Sequence, residues 1–277
     1  MSRFLHRLRQ AVWGIYNDGC LGAAKGAAYS ALLAFFPIVT TVTAILVQAN
    51  AEQVSKRIAD FLFEVVPPGT DELLRHAITE RGSRPASLPI AAGILSLWAA
   101  SGVMISLMEG FQFAYNARDP RGVIRKRVLA VFLVIVAALP TVGASALVFF
   151  GTRFEDQALQ WLGMQQAGEV VGGGVRLAAR LARYAVALGT TVLVTALLYW
   201  LAPTPRRRWR TVWPGAWLAT WLWLLTTLSF GWYVRHLANY NVLYGSIGTA
   251  IALLVWMYLL AVIALLGCEY NAAAERR

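Results

Sequence analysis

The chain has 277 residues, of which 58% are hydrophobic and only 14% charged, and it carries a net charge of +11. A soluble domain carries about 25% charged residues, so this composition excludes an ordinary soluble globular protein and points to lipid. In a membrane protein a basic excess arises from Lys and Arg kept in cytoplasmic loops, so the charge by itself does not signify nucleic acid.

The first residues, "MSRFLHRLRQAVWGIYNDG", have a basic start but neither an unbroken apolar core nor a small-residue cleavage site, and they are not read as a signal peptide. Phe4, Leu8, Val12 and Ile15 recur at helical spacing with Arg3, Arg7 and Arg9 elsewhere round the wheel. That pattern predicts a helix lying on an anionic membrane surface.

A hydrocarbon core of about 30 Å needs roughly 20 apolar residues at about 1.5 Å each. Six stretches meet it: Ala27 to Gln48, Leu88 to Met108, Val128 to Phe150, Ala182 to Leu201, Val212 to Val234 and Gly245 to Cys268. Pro37 and Pro140 fall inside the first and third, where each removes a backbone hydrogen bond and predicts a kink or break.

The loops orient these spans. Arg3, Arg7, Arg9 and Lys25 precede the first; Arg118, Arg121, Arg125, Lys126 and Arg127 follow the second; "RRRWR" at 206–210 follows the fourth. The positive-inside bias puts all three segments, and so both termini, in the cytoplasm. The expected fold is an all-α membrane protein of six transmembrane helices, with residues 1–26 an amphipathic N-terminal segment, 27–271 the membrane domain and 272–277 a cytoplasmic tail. Cys20 and Cys268 then both lie on the reducing side and are not read as a disulfide.

The outer loops are expected to carry short amphipathic helices, with Ile58, Phe61, Leu62 and Val65 on one face and Leu73, Leu74, Ala77 and Ile78 on another. Gly172 to Gly174 are expected as a hinge before the fourth span. "RRRWR" itself sits in a short loop, where snorkelling arginines and belt tryptophans such as Trp209 and Trp213 hold helix ends, a simpler reading than nucleic-acid binding.

Several groups are candidates for function. Gly102, Ser106 and Gly110 share a face that admits a close neighbour. Glu109, Gln112 and Asn116 form a polar stripe at the cytoplasmic boundary, and Lys25 and Glu269 fall at the same depth. Together they either line a vestibule or simply pair and hold helices. Arg176, Arg180 and Arg183 recur on one helix face on the side where positive charge is disfavoured. They suit bidentate contact with phosphate or carboxylate, or else snorkel to head groups and pair with Glu155, Asp156 or Glu169. Asn239, Tyr240, Asn241 and Tyr244 put polar groups near the outer surface, and Gly245 and Gly248 narrow the start of the last span. No G-x-S-x-G, H-E-x-x-H or Walker loop and no metal-spaced His or Cys set occurs, so neither an enzyme nor a cofactor is expected.

Read together, "AAYSALLAFFPIV", "LWAASGVMISLMEGFQFAYNARDPRGVIRKR", "YWLAPTPRRRWRTVWPGAWLATWLW" and "NYNVLYGSIGTAIALLVWMYLLAVIALLGCEYNAA" resemble the YihY/BrkB-type integral membrane proteins of bacteria, once labelled ribonuclease BN. The resemblance covers about Ala27 to Ala273 and implies six spans with cytoplasmic termini. Its matching positions are Pro37, Glu109, Tyr115, Pro203, Trp209, Pro214, Gly215, Tyr244, Gly245, Trp256, Gly267, Glu269 and Asn271, none of which it marks as catalytic. It also implies an envelope function in the bacterial inner membrane. The expected activity is movement of an amphipathic anionic molecule, most simply an envelope lipid, with Arg176, Arg180 and Arg183 drawing the head group, Pro37 and Pro140 opening a lateral path and the boundary cluster forming an inner gate. The alternative is a non-transporting scaffold that docks an envelope protein. Membrane lipids are the expected partners, self-association is compatible with the small-residue faces, and no nucleic acid is expected.

Overall fold

A computed structural model describes residues 2–48, 87–161, 173–236 and 245–276, and every regular element among them is an α-helix. In chain order these are α1 (Ser2–Asn17), α2 (Cys20–Gln48), α3 (Ser87–Ala114), α4 (Val123–Trp161), α5 (Gly173–Leu201), α6 (Trp209–His236) and α7 (Gly245–Glu275). Lipid favours unbroken helix because only the internal ladder satisfies each N–H and C=O.

Five helices, α2, α3, α4, α5 and α7, are long and apolar enough to cross a membrane. The expected span in α6 is not among them, since six tryptophans stand along its 28 residues where the other helices carry aliphatic side chains. Pro37 and Pro140 lie inside uninterrupted helices, so the break allowed at either position does not occur. Helices also outrun the predicted spans: α2 starts at Cys20, and α4 covers Val123 to Trp161. Hydropathy marks what lipid accepts, whereas a helix continues until a residue breaks its ladder. Gly173 and Gly174 open α5 and do not form a loop, while the expected outer-loop helices around Ile58 and Leu74, together with Gly172 and Tyr244, lie outside the described residues.

α7 is the central element, packed against α1, α2, α3 and α6, with α2 on α3, α4 on α5 and α5 on α6. Its approach to α6 is set by glycine. A Cβ on Gly267 would lie 2.6 Å from Gly215 O and 2.8 Å from Ala219 Cβ, and one on Gly215 would overlap Gly267 O. The predicted small-residue face of α3 meets α2: a Cβ on Gly102 would lie 3.2 Å from Ser30 Oγ, and one on Gly26 would lie 3.1 Å from Ser106 Oγ. Where lipid is as apolar as leucine, such close backbone approach is a main source of helix association.

α1 packs on α7 through buried Ala11, Gly14 and Ile15, and the Phe4 ring centroid stands 5.8 Å from that of Tyr270. The apolar stripe read from the sequence is therefore divided. Ile15 faces the bundle, whereas Val12 is exposed beside Trp13 and Tyr16.

Candidate functional site

The turns after α3 and α5 and the end of α7 meet at the end of the bundle that carries both termini. Arg121 Nη2 donates to Ala202 O at 3.1 Å, to Pro203 O at 3.4 Å and to the Thr204 hydroxyl, which satisfies carbonyls that the end of α5 leaves without helical partners. With its amide assigned so that its nitrogen faces an acceptor and its oxygen a donor, Gln112 pairs with the Thr204 backbone, donating to its carbonyl at 3.1 Å and accepting from its N–H at 3.0 Å. Arg207 lies 3.9 Å over the Tyr115 ring and donates to Glu275 at 3.2 Å, and the Thr211 hydroxyl donates to the same carboxylate at 2.7 Å. Burial pushes the Tyr115 phenol well above its ordinary range, so the group under the guanidinium is neutral.

Asn271 joins α7 to α6. Its Oδ1 accepts from Gly215 N–H at 2.8 Å and its Nδ2 donates to Val212 O at 3.0 Å, and the side chain is fully buried. Two turns deeper along α7 the Tyr199 hydroxyl donates to Ala264 O at 2.5 Å, and its ring meets Phe111 edge-on with centroids 5.4 Å apart.

Above this pair lies a cavity of about 350 Å³ that takes wall residues from all six long helices, among them Ala31, Met104, Thr141, Thr195, Thr220 and Met257. Phe111 and Tyr199 form its floor on the terminal side. Three of its four threonines add little polarity, because Thr141, Thr191 and Thr195 donate to their own helices' carbonyls at 2.7, 3.0 and 2.9 Å, while the buried Thr220 hydroxyl makes no hydrogen bond among the described residues. Arg183 shares a face of α5 with wall residue Val194, about 16 Å further along the helix. Only 9% of Arg183 is exposed, and its guanidinium stands 5.9 Å from the Tyr184 ring centroid. An apolar chamber in line with a guanidinium can hold an acyl chain and meet an acidic head group.

The sequence-predicted residues divide among several surroundings. Arg183 is buried and Arg180 exposed, while the Arg176 side chain is outside the described residues. Glu109 is exposed and pairs with Lys126 at 2.5 Å, Gln112 with the Thr204 backbone, and Glu269 with Arg276 at 3.5 Å. Lys25 is exposed, so the pairing of Lys25 with either glutamate is replaced by Lys126 and Arg276. Neighbouring Ala24 and Ala28 take the buried side of α2, which turns Lys25 outward. Asn116 closes α3 with a left-handed φ of 48°, a conformation asparagine tolerates. Trp200, Trp209 and Trp213 form a run of edge-on rings, with Arg206 5.6 Å over Trp200. Pro214 lies inside α6, Gly245 opens α7 and Trp256 is half-buried in it. Cys20 and Cys268 are both buried and free. Among the described residues no group of three or more His, Cys, Asp and Glu could hold a metal ion.

Sequence reasoning missed Arg121, Tyr199 and Arg276. Each acts on a backbone carbonyl of a distant segment, a contact that no local spacing encodes.

The family model described as Virulence factor BrkB matches residues 12–277. A ribonuclease-like protein of Bacillus subtilis (strain 168), YfkH, is 30% identical over 92% of this chain and 91% of its own length. A UPF0761 membrane protein of Chlorobium phaeobacteroides (strain BS1) is 27% identical over 92% of this chain, and one of Alkalilimnicola ehrlichii over 93% at the same identity. The chain spans about half the length of these two relatives, 56% and 55%. No solved structure matches.

Proposed function

The chain belongs to the Virulence factor BrkB family of multi-pass membrane proteins, and on that premise we propose that it moves, or helps to move, an amphipathic anionic molecule such as an envelope lipid. The observation that carries the reading is the apolar cavity shared by all six long helices, in line with buried Arg183. In this reading α6 is the sixth span, held by its glycine contact with α7, and the end rich in Lys and Arg faces the cytoplasm of a bacterial inner membrane. Arg176, Arg180 and Arg183 draw in the head group and the cavity receives an acyl chain. Phe111 and Tyr199, backed by Gln112 and Thr204, close the path at the terminal end. Pro37 and Pro140 each leave one helical carbonyl without its partner, which is where α2 and α4 bend to admit lipid from the side. The ribonuclease-like name of the Bacillus relative is not adopted in this reading, since among the described residues no group of three or more His, Cys, Asp and Glu could hold a metal for phosphodiester cleavage.

The test is scrambling of labelled phosphatidylglycerol and phosphatidylethanolamine by the purified protein in liposomes, comparing the natural chain with Arg176, Arg180 and Arg183 all changed to Gln. Movement that favours the anionic lipid and falls at least tenfold in the triple variant is expected. Equal rates for variant and natural chain, or no movement of either lipid where a known scramblase works, would sink the reading.

A further inference from the structure

We propose that Glu269, with Asp18 and Arg276 around it, is a binding site for one exchangeable proton. Glu269 is fully buried on α7, under Gly14 of α1, where a Cβ would lie 2.7 Å from Oε2. The missing side chain makes room for the carboxylate. Cys20 Sγ donates to Oε1 at 3.5 Å, while Oε2 makes no hydrogen bond among the described residues.

Arg276 stands 3.5 Å from Oε2, yet the same nitrogen donates to Asp18 Oδ2 at 2.9 Å and to Ala114 O at 2.5 Å. Two carboxylates thus share one guanidinium, which leaves the trio one negative charge in excess, with one of its carboxylates cut off from water. A buried charge without compensation is strongly unfavourable, and a single proton on the pair removes it. Among the described residues, Arg276 is the cation within ion-pair distance of the two carboxylates. The groups acting on Glu269 are Asp18, Arg276 and Cys20; α3 presents the Gly110 and Ala114 carbonyls, Lys25 of α2 is exposed, and α7 adds the buried Cys268 thiol. His6 and Arg9 of α1 line the neighbouring pocket. The Arg276 guanidinium already takes the place between the two carboxylates, which leaves the smallest cation, a proton, to neutralise the pair.

The surroundings supply a route. A pocket of about 580 Å³ between α1 and the end of α7 is lined by Trp13, Gly14, Asp18 and Arg276, so water reaches the wall behind which Oε2 lies. On the other side Ala264 of the central cavity is about 7.5 Å away along α7. Glu269 thus stands between the two cavities. The proton site follows from the local geometry; its use as the coupling ion rests on the transport reading above.

Infrared difference spectra of the full chain in vesicles of phosphatidylglycerol and phosphatidylethanolamine, recorded across pH in choline and in sodium buffers, test the site. The expected result is one buried carboxylic-acid band at neutral pH that is unaffected by sodium and lost in Glu269→Gln. It is also lost at that pH in Asp18→Asn, which leaves one carboxylate per guanidinium. If Glu269→Gln fails to fold, the partly exposed Asp18→Asn decides. A band that persists in the variants, that follows sodium, or that never appears in the natural chain overturns the proposal. Scrambling in the same vesicles separates the two readings: a band without scrambling sinks transport alone, and scrambling without a band sinks the proton site alone.

Discussion

The terminal end of the bundle and its middle use polar side chains in opposite ways. At the terminal end Arg121, Gln112, Arg207, Asn271 and Arg276 each bond to a different helix or turn, with sequence separations up to 258. In the middle Thr141, Thr191 and Thr195 bond back to the carbonyl four residues earlier in their own helices. Bonds between helices fix their relative positions, whereas bonds within a helix leave it free to shift against its neighbours. The contrast describes a bundle clamped at its terminal end and tied more sparsely beyond it, where the Thr41 and Ser96 hydroxyls, 3.1 Å apart, join α2 to α3.

Substitutions can break that contrast or sharpen it. The largest effect is expected from Gly215→Val. Its new side chain meets the Gly267 carbonyl and the Asn271 amide, and backbone cannot move aside cheaply. A loss of about 3 kcal/mol or more, read as a collapse of monodisperse protein in detergent, is expected; near-normal yield and Tm would show that the glycine crossing is not a clamp. Asn271→Ala removes both buried bonds by which α7 holds the Gly215 N–H and the Val212 carbonyl of α6. About 2 kcal/mol of stability should be lost in unfolding by denaturant in micelles, and a change below about 0.5 kcal/mol would mean those groups find other partners. Thr191→Val should do least. Its hydroxyl binds only Ala187 O, so stability should move by about 0.5 kcal/mol or less, and a larger drop would reveal a mid-bundle tie between helices.

Much of the architecture was legible because lipid imposes simple rules. Long apolar stretches marked α2, α3, α4, α5 and α7, and the small residues of α3 pointed to a close neighbour, found to be α2. The limits of each helix were less legible, since hydropathy says nothing about where a hydrogen-bonded ladder stops. The polar boundary was the least legible part. Sequence position puts Glu109, Lys25 and Glu269 near one boundary, yet it does not encode azimuth: Glu109 turns to Lys126, Glu269 to Arg276, and Lys25 is exposed. Asn271 stood out only as a motif position, because its partners lie 56 and 59 residues away in the chain.

The tryptophans of α6 bear on how the protein is made. A segment leaving the ribosome enters the bilayer by its own partitioning, and α6 offers indoles where its neighbours offer leucine, isoleucine and valine. It therefore has less hold on lipid alone than α5 before it or α7 after it. The Gly215–Gly267 contact and the Asn271 bonds come into being only once α7 has been synthesised. On the reading in which α6 is the sixth span, its insertion becomes a late event completed by the following helix, and a chain cut short before Gly245 would leave the translation machinery with a segment that lacks its retaining partner.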